Sequence, residues 1–93
     1  MGKIRKRDRL EVMYTFLKII QDNQNSVRPT PLLRKTNLSS QSFTEYHREL
    51  ISKGFIKEIL DKKGRKWITL TDKGFEFIEK YKMILGFIDE FEL

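Results

Sequence analysis

Gln41, Thr44 and Arg48 carry hydrogen-bonding groups at the spacing that aligns side chains along one face of an α-helix. Ser40, Glu45 and Ser52 belong to the same polar strip. Arginine can grip guanine, and glutamine adenine, through two parallel hydrogen bonds each. A strip of this kind therefore has the chemistry to read base edges in a DNA major groove. A second group of residues offers charge. Lys62, Lys63, Arg65 and Lys66 crowd one short stretch, Lys57 precedes them, and Arg28, Arg34 and Lys35 lie upstream. Lys3, Arg5, Lys6 and Arg7 form a further basic run. Cations so placed neutralise phosphates, each steepening the salt dependence of binding by ~0.9 in log–log slope. The competing reading of the lysines around 57–66 is protective, since lysine on an edge strand discourages sheet-to-sheet aggregation.

Composition excludes most other chemistry. The chain has no cysteine, hence no disulfide, zinc finger or thiol nucleophile. Its single histidine excludes multi-histidine metal sites. With no glycine-rich phosphate loop and no nucleophile–base spacing, neither an enzyme nor a cofactor is expected. Residues 1–73 hold 17 Lys/Arg against 8 Asp/Glu, or +9, whereas residues 74–93 hold 2 against 5, or −3. A basic body with an acidic end suits a polyanionic partner, the end directed away from it. No apolar run reaches the ~18 residues of a membrane span. The basic N-terminus has no apolar region behind it, so no signal peptide is expected and the protein is placed in the cytoplasm, with the nucleoid.

The elements that must hold these residues follow from apolar spacing. Ser39 can cap a helix, with Phe43, Tyr46, Leu50 and Ile51 on its inner face and Gly54 as its stop. His47 falls near Phe43 and Leu50, and reads as a core-edge histidine in preference to a base contact. Upstream, Leu10, Met13, Phe16, Leu17 and Ile20 mark a first helix from Arg9 to about Asn23, with Asp8 as cap and residues 1–8 as a basic arm or a frayed end. Tyr14 lies off that stripe, on the surface or against a partner subunit. Val27 and Arg28 read as a short strand, and Thr30-Pro31 as the cap and first position of a short helix ending near Thr36. Leu32 and Leu33 point inward, and Asn37-Leu38 makes a tight turn into the helix that starts at Ser39. Helix, short turn, capped helix is the helix-turn-helix layout.

Phe55 to Leu60 and Arg65 to Leu70 then read as two strands joined by the hairpin Asp61-Lys62-Lys63-Gly64. Trp67 is assigned to the core in preference to a phosphate contact. Thr71 caps a last helix with Asp72 in its first turn. Phe75, Ile78, Tyr81, Leu85 and Ile88 make an apolar stripe there, with Phe77, Ile84 and Phe91 beside it. That is more apolar surface than a small core uses. A dimer interface of Phe77, Ile78, Tyr81, Ile84, Leu85, Ile88 and Phe91 is expected; the alternative is a fold-back over the first helix. Gly86 costs ~1 kcal/mol inside a helix, so a bend or end is expected there, with Phe87 to Leu93 as a separate hook.

The order of elements resembles the archaeal winged helix-turn-helix DNA-binding proteins, within the broad class that includes the MarR and PadR regulators. RDRLEVMYTFL, NLSSQSFTEYHRELISKGFI and ITLTDKGFEFIEKY carry the resemblance, the last with its Leu-Thr-x-x-Gly junction. It implies an α+β fold with a three-helix core, a two- or three-stranded β-wing and an extra C-terminal helix, as one domain over 9–93 with 71–93 dimerising. It also implies a small regulator binding double-stranded DNA as a homodimer, with 39–53 in the major groove, the 57–66 wing on the backbone or minor groove, and half-sites about one turn apart. Glu45 and Glu49 depart from that pattern by adding negative charge beside the DNA, and Gly86 departs by interrupting the last helix. Two rival functions share the fold: a winged helix that docks a protein assembly through its last helix and Trp67, and a chromatin protein that coats DNA without preference.

Overall fold

The computed structural model describes the backbone of residues 2–93 and the side chains from Arg9 onward. Its elements run α1 (Gly2–Asp22), α2 (Pro29–Thr36), α3 (Ser40–Ser52), β1 (Ile56–Leu60), β2 (Lys66–Leu70) and α4 (Asp72–Glu90). Helices α1, α2 and α3 enclose a core that the β1–β2 hairpin and the first half of α4 close. This is the winged helix-turn-helix arrangement.

In α1, Met13, Phe16, Leu17 and Ile20 are buried, at the helical spacing. The helix begins at Gly2, not at Arg9. Residues 3–7 therefore continue the helix rather than form a separate arm, and Asp8 is interior to it, not a cap. The side chains of Lys3, Arg5, Lys6 and Arg7 lie outside the described residues. Leu10, expected in the buried stripe, is 45% exposed. Tyr14 packs within its own chain, its ring 4.8 Å from that of Tyr81 in α4.

Gln24 and Asn25 turn the chain with positive φ angles of 63° and 58°. Val27 then exchanges two backbone hydrogen bonds with Ile68, at 3.1 and 2.8 Å, and the Asn25 side chain accepts the Leu70 N–H at 2.7 Å. A single bridge thus stands where a short third strand was expected. Pro29 explains its length: proline has no N–H to extend a ladder, and it starts α2 directly. The helix start is therefore two residues earlier than the Thr30-Pro31 reading, and Thr30 is not its cap. Asn37 ends α2 in the left-handed conformation, φ 62°.

The wing pairs Ile56 with Leu70, Glu58 with Ile68 and Leu60 with Lys66 in an antiparallel ladder. Ile56, Ile68 and Leu70 face the core, whereas Ile59 and Leu60 are exposed. Thr71 caps α4 by accepting the Gly74 N–H at 3.1 Å, and donates its own hydroxyl to the Gly54 carbonyl. A Cβ on Gly74 would sit 2.2 Å from the Phe55 carbonyl oxygen, so only glycine lets α4 lie this close. That close approach gives the Leu-Thr-x-x-Gly junction its physical reason. α4 continues through Gly86 to Glu90, with neither an end nor a separate hook. Gly86 meets nothing within 4 Å.

Candidate nucleic-acid interface

Helix α3 is fixed at both ends and from behind. The Ser39 hydroxyl accepts the Ser42 N–H at 3.1 Å. At the other end Gly54, φ +79°, donates to Ile51 and Phe55 donates to Leu50, the paired bonds of a Schellman stop. Phe43 and Leu50 are buried, and Phe43 stacks on Phe16 of α1 with ring centres 5.2 Å apart. Ile51, expected inside, is on the surface. Ser40, Gln41, Thr44, Glu45 and Arg48 are all exposed on the opposite side. The Thr44 hydroxyl donates to the Ser40 carbonyl at 2.9 Å, leaving its oxygen to accept. Among the described residues Gln41 and Arg48 make no side-chain hydrogen bond or ion pair.

Glu49 belongs to a different circuit. Arg9 of α1 clamps its carboxylate through both guanidinium Nη groups, and Lys53 lies 3.6 Å away. The Arg9 hydrogen bond holds the Glu49 pKa below its ordinary value. Of the two acids expected to repel DNA, only Glu45 lacks an ion pair among the described residues. His47 lies at the core edge, stacked on Phe43, with Nε2 3.1 Å from the Glu58 carboxylate but outside hydrogen-bonding geometry. Burial pushes its pKa down; Glu58 opposes that shift and Lys66 reinforces it.

The wing tip is organised by Asp61, a residue that sequence alone places only in the loop. Its carboxylate accepts the backbone N–H groups of Lys63 and Arg65, both at 2.9 Å. It also accepts Arg65 Nε at 2.7 Å and Trp67 Nε1 at 3.0 Å. These bonds, that of Trp67 foremost, hold the Asp61 carboxyl well below the usual carboxylate range. Gly64, φ +78°, closes the turn. An aspartate opening the strand-joining loop, with arginine and tryptophan four and six residues on, is the signal that marks this clasp.

The clasp sorts the expected cations. Lys62 and Lys63 stand exposed at the tip, with Lys57 exposed on β1. Arg65 is tied back to Asp61, and Lys66 Nζ is 3.6 Å from Glu58. Arg28 lies over the Trp67 ring, 5.6 Å from its centre, so Trp67 is half-buried beneath a cation rather than inside the core. Arg34 and Lys35 are exposed, Lys35 reaching Asn23 at 3.3 Å. Arg28, Thr30, Arg34 and Lys66 line a cleft between the start of α2 and β2.

The expected dimer residues divide. Ile78 and Tyr81 are buried in the monomer, and Phe77 packs edge-on against Phe55 at 5.1 Å. These three are taken up by the chain's own core, because α4 crosses α1 there. Ile84, Leu85 and Phe91 are exposed and Ile88 is half-buried. Among the described residues no group of acids and histidines could hold a metal, and no helix is long and apolar enough to cross a membrane.

A family model described as winged helix-turn-helix matches residues 6–88. The chain belongs to the winged helix-turn-helix family. No curated protein matches this winged helix-turn-helix chain by sequence. Among solved structures it is similar to F-93 of SSV1, at 26% identity and TM-score 0.66, covering 86% of this chain and 91% of that one. The winged-helix DNA-binding protein of STIV superposes with TM-score 0.68 at 20% identity, over 77% and 84% of the two chains. A MarR variant from E. coli, complexed with operator DNA, gives TM-score 0.70 at 18% identity, over 80% of this chain. The chain spans 54% of that MarR chain's length.

Proposed function

We propose that this winged helix-turn-helix protein is a small, non-catalytic transcription regulator of the cytoplasm and nucleoid that binds double-stranded DNA through α3 and the wing. The observation that carries the reading is the division of α3. Phe43 and Leu50 anchor one side, while Ser40, Gln41, Thr44, Glu45 and Arg48 are presented together on the other. In this reading Arg48 and Gln41 reach base edges and Thr44 accepts or donates beside them. Lys62 and Lys63 rest on phosphates. The cleft at the start of α2 takes another phosphate between Arg28, Arg34 and Lys66, where the helix dipole adds to their charge. The basic first turns of α1, Lys3 to Arg7, add to the field that draws DNA in.

Self-association as a homodimer is assigned to the C-terminal half of α4, through Ile84, Leu85, Ile88 and Phe91. The exposure of Ile84, Leu85 and Phe91 beside half-buried Ile88 supports it, since folded monomers rarely leave so large an apolar strip uncovered. The MarR complex with operator DNA supports the DNA reading by analogy of fold.

The test is a titration of random-sequence duplex at low and moderate salt, followed by selection from a random pool. Binding that weakens steeply with salt, with an enriched motif, is expected. Salt-insensitive or absent binding refutes the reading and favours a protein-docking winged helix; binding without enrichment reassigns the chain to non-specific coating.

A further inference from the structure

Lys66 stands between two sites. Its Nζ is 3.6 Å from one oxygen of the Glu58 carboxylate, and its side chain lines the cleft shared with Arg28, Thr30 and Arg34. The other oxygen of that carboxylate lies 3.1 Å from His47 Nε2 of α3. That nitrogen is buried and has no hydrogen bond among the described residues. One carboxylate on β1 thus faces α3 on one side and the cleft's cation on the other.

Packing holds the imidazole where it is. It stacks on Phe43 with ring centres 5.8 Å apart, and Phe43 stacks on Phe16 of α1. Few charges bear on it. Glu58 of β1 and Lys66 of β2 act in opposite senses, while burial favours the neutral ring. A turn away on α3 itself stand Phe43, Thr44, Leu50 and Ile51, none of them titratable. Arg9 of α1 is bound to Glu49, Arg34 of α2 lies in the cleft and Lys35 reaches Asn23. The state of His47 is therefore set by how Glu58 is shared. The Glu58–Lys66 pair is open to water, so it holds Lys66 weakly, and a phosphate among the cleft's cations competes for it.

We infer that Glu58 links the cleft to α3: a DNA phosphate seated against Arg28 and Arg34 draws Lys66 away, and His47 takes a proton from solvent and donates Nε2–H to the carboxylate that Lys66 has left. The inference rests on the DNA binding proposed above and adds His47 and Glu58 as positioning residues, neither of them touching DNA. The new bond runs from α3 to β1, so it fixes the wing against α3 once the cleft is filled. A hydrogen bond between two charged groups is well suited to that task. Because a proton enters with the DNA, binding tightens as pH falls through the histidine range.

His47 is the only histidine of the chain, so its ring gives a single NMR titration. That titration is followed for the protein alone and on a short duplex at low salt. Fluorescence anisotropy of a labelled random-sequence duplex is measured beside it, over about pH 7.5 to 5.5. DNA should raise the His47 midpoint by about 0.5 or more, which appears as an affinity gain of about threefold or more as pH falls. In His47→Gln that gain should vanish. Glu58→Gln and Lys66→Ala alter exposed positions and leave the core intact. In Glu58→Gln, DNA should no longer move the His47 midpoint. In Lys66→Ala the midpoint should already be raised without DNA, and DNA should add less than half the normal shift. Binding with an unmoved midpoint, or a midpoint that DNA raises equally in Glu58→Gln, overturns the link and leaves DNA binding standing. Absent binding by the unaltered protein overturns both.

Discussion

Replacing Lys62 and Lys63 together by alanine probes the wing most sharply. Both stand exposed at the hairpin tip, and neither has an acidic partner among the described residues. Of their neighbours, Arg65 is hydrogen-bonded to Asp61 and Lys66 lies on the α2 side of the wing, 3.6 Å from Glu58. Leaving two phosphates without their cations, at ~0.9 each, lowers the log–log salt slope by ~1.8. Over a fourfold rise from about 50 to 200 mM salt, the affinity advantage of the unaltered protein then shrinks about 12-fold. Fluorescence anisotropy of a labelled random duplex across that range reads both slopes. An unaltered slope in the wing variant would refute the seating of the tip on phosphates.

Four further changes test the parts behind it. Arg48→Ala should cost ~1–3 kcal/mol of binding and relax preference at one position; an equal loss on every sequence moves Arg48 to the backbone. Gly74→Ala drives a methyl into the rigid Phe55 carbonyl, so urea unfolding should show a loss at or beyond the top of the ~1–3 kcal/mol overpacking range. A neutral result would mean that α4 stands further off. Phe43→Ala should remove ~3–5 kcal/mol of stability by opening a cavity against Phe16; near-neutrality would mean that α3 is rotated. Burial lowers the His47 pKa, so the unfolded chain takes up the proton first. Stability should hold above the ordinary histidine value of about 6.5 and decline as pH falls below it, toward the folded pKa. In His47→Gln that decline should vanish; a decline that persists assigns it to another group.

Local chemistry made some of these elements legible in the sequence. Ser39 and Thr71 cap because their hydroxyls reach N–H groups three residues on, and Gly54 stops α3 because its φ is positive. Phe43 and Leu50 show the core side of α3 by spacing alone. Other features depend on partners distant in sequence. Basic residues form helix as readily as they fray, so the run from Lys3 to Arg7 could not announce that α1 begins at Gly2. Two prolines both fit a first helical turn, whose N–H groups lack partners in any case, and the earlier one won. Arg28 and Arg65 looked like free cations until the fold brought Trp67 and Asp61 to them. Ile78 and Tyr81 looked like interface because nothing in α4 itself marks where α1 stops covering it.

The central claim is that the polar side of α3 and the tip of the wing meet DNA while the end of α4 does not. An amide NMR titration of the protein with duplex DNA at low salt tests it residue by residue. The largest shifts are expected over residues 39–48 and 61–65, with residues 84–93 unmoved. Shifts concentrated on the end of α4, with α3 silent, would contradict it.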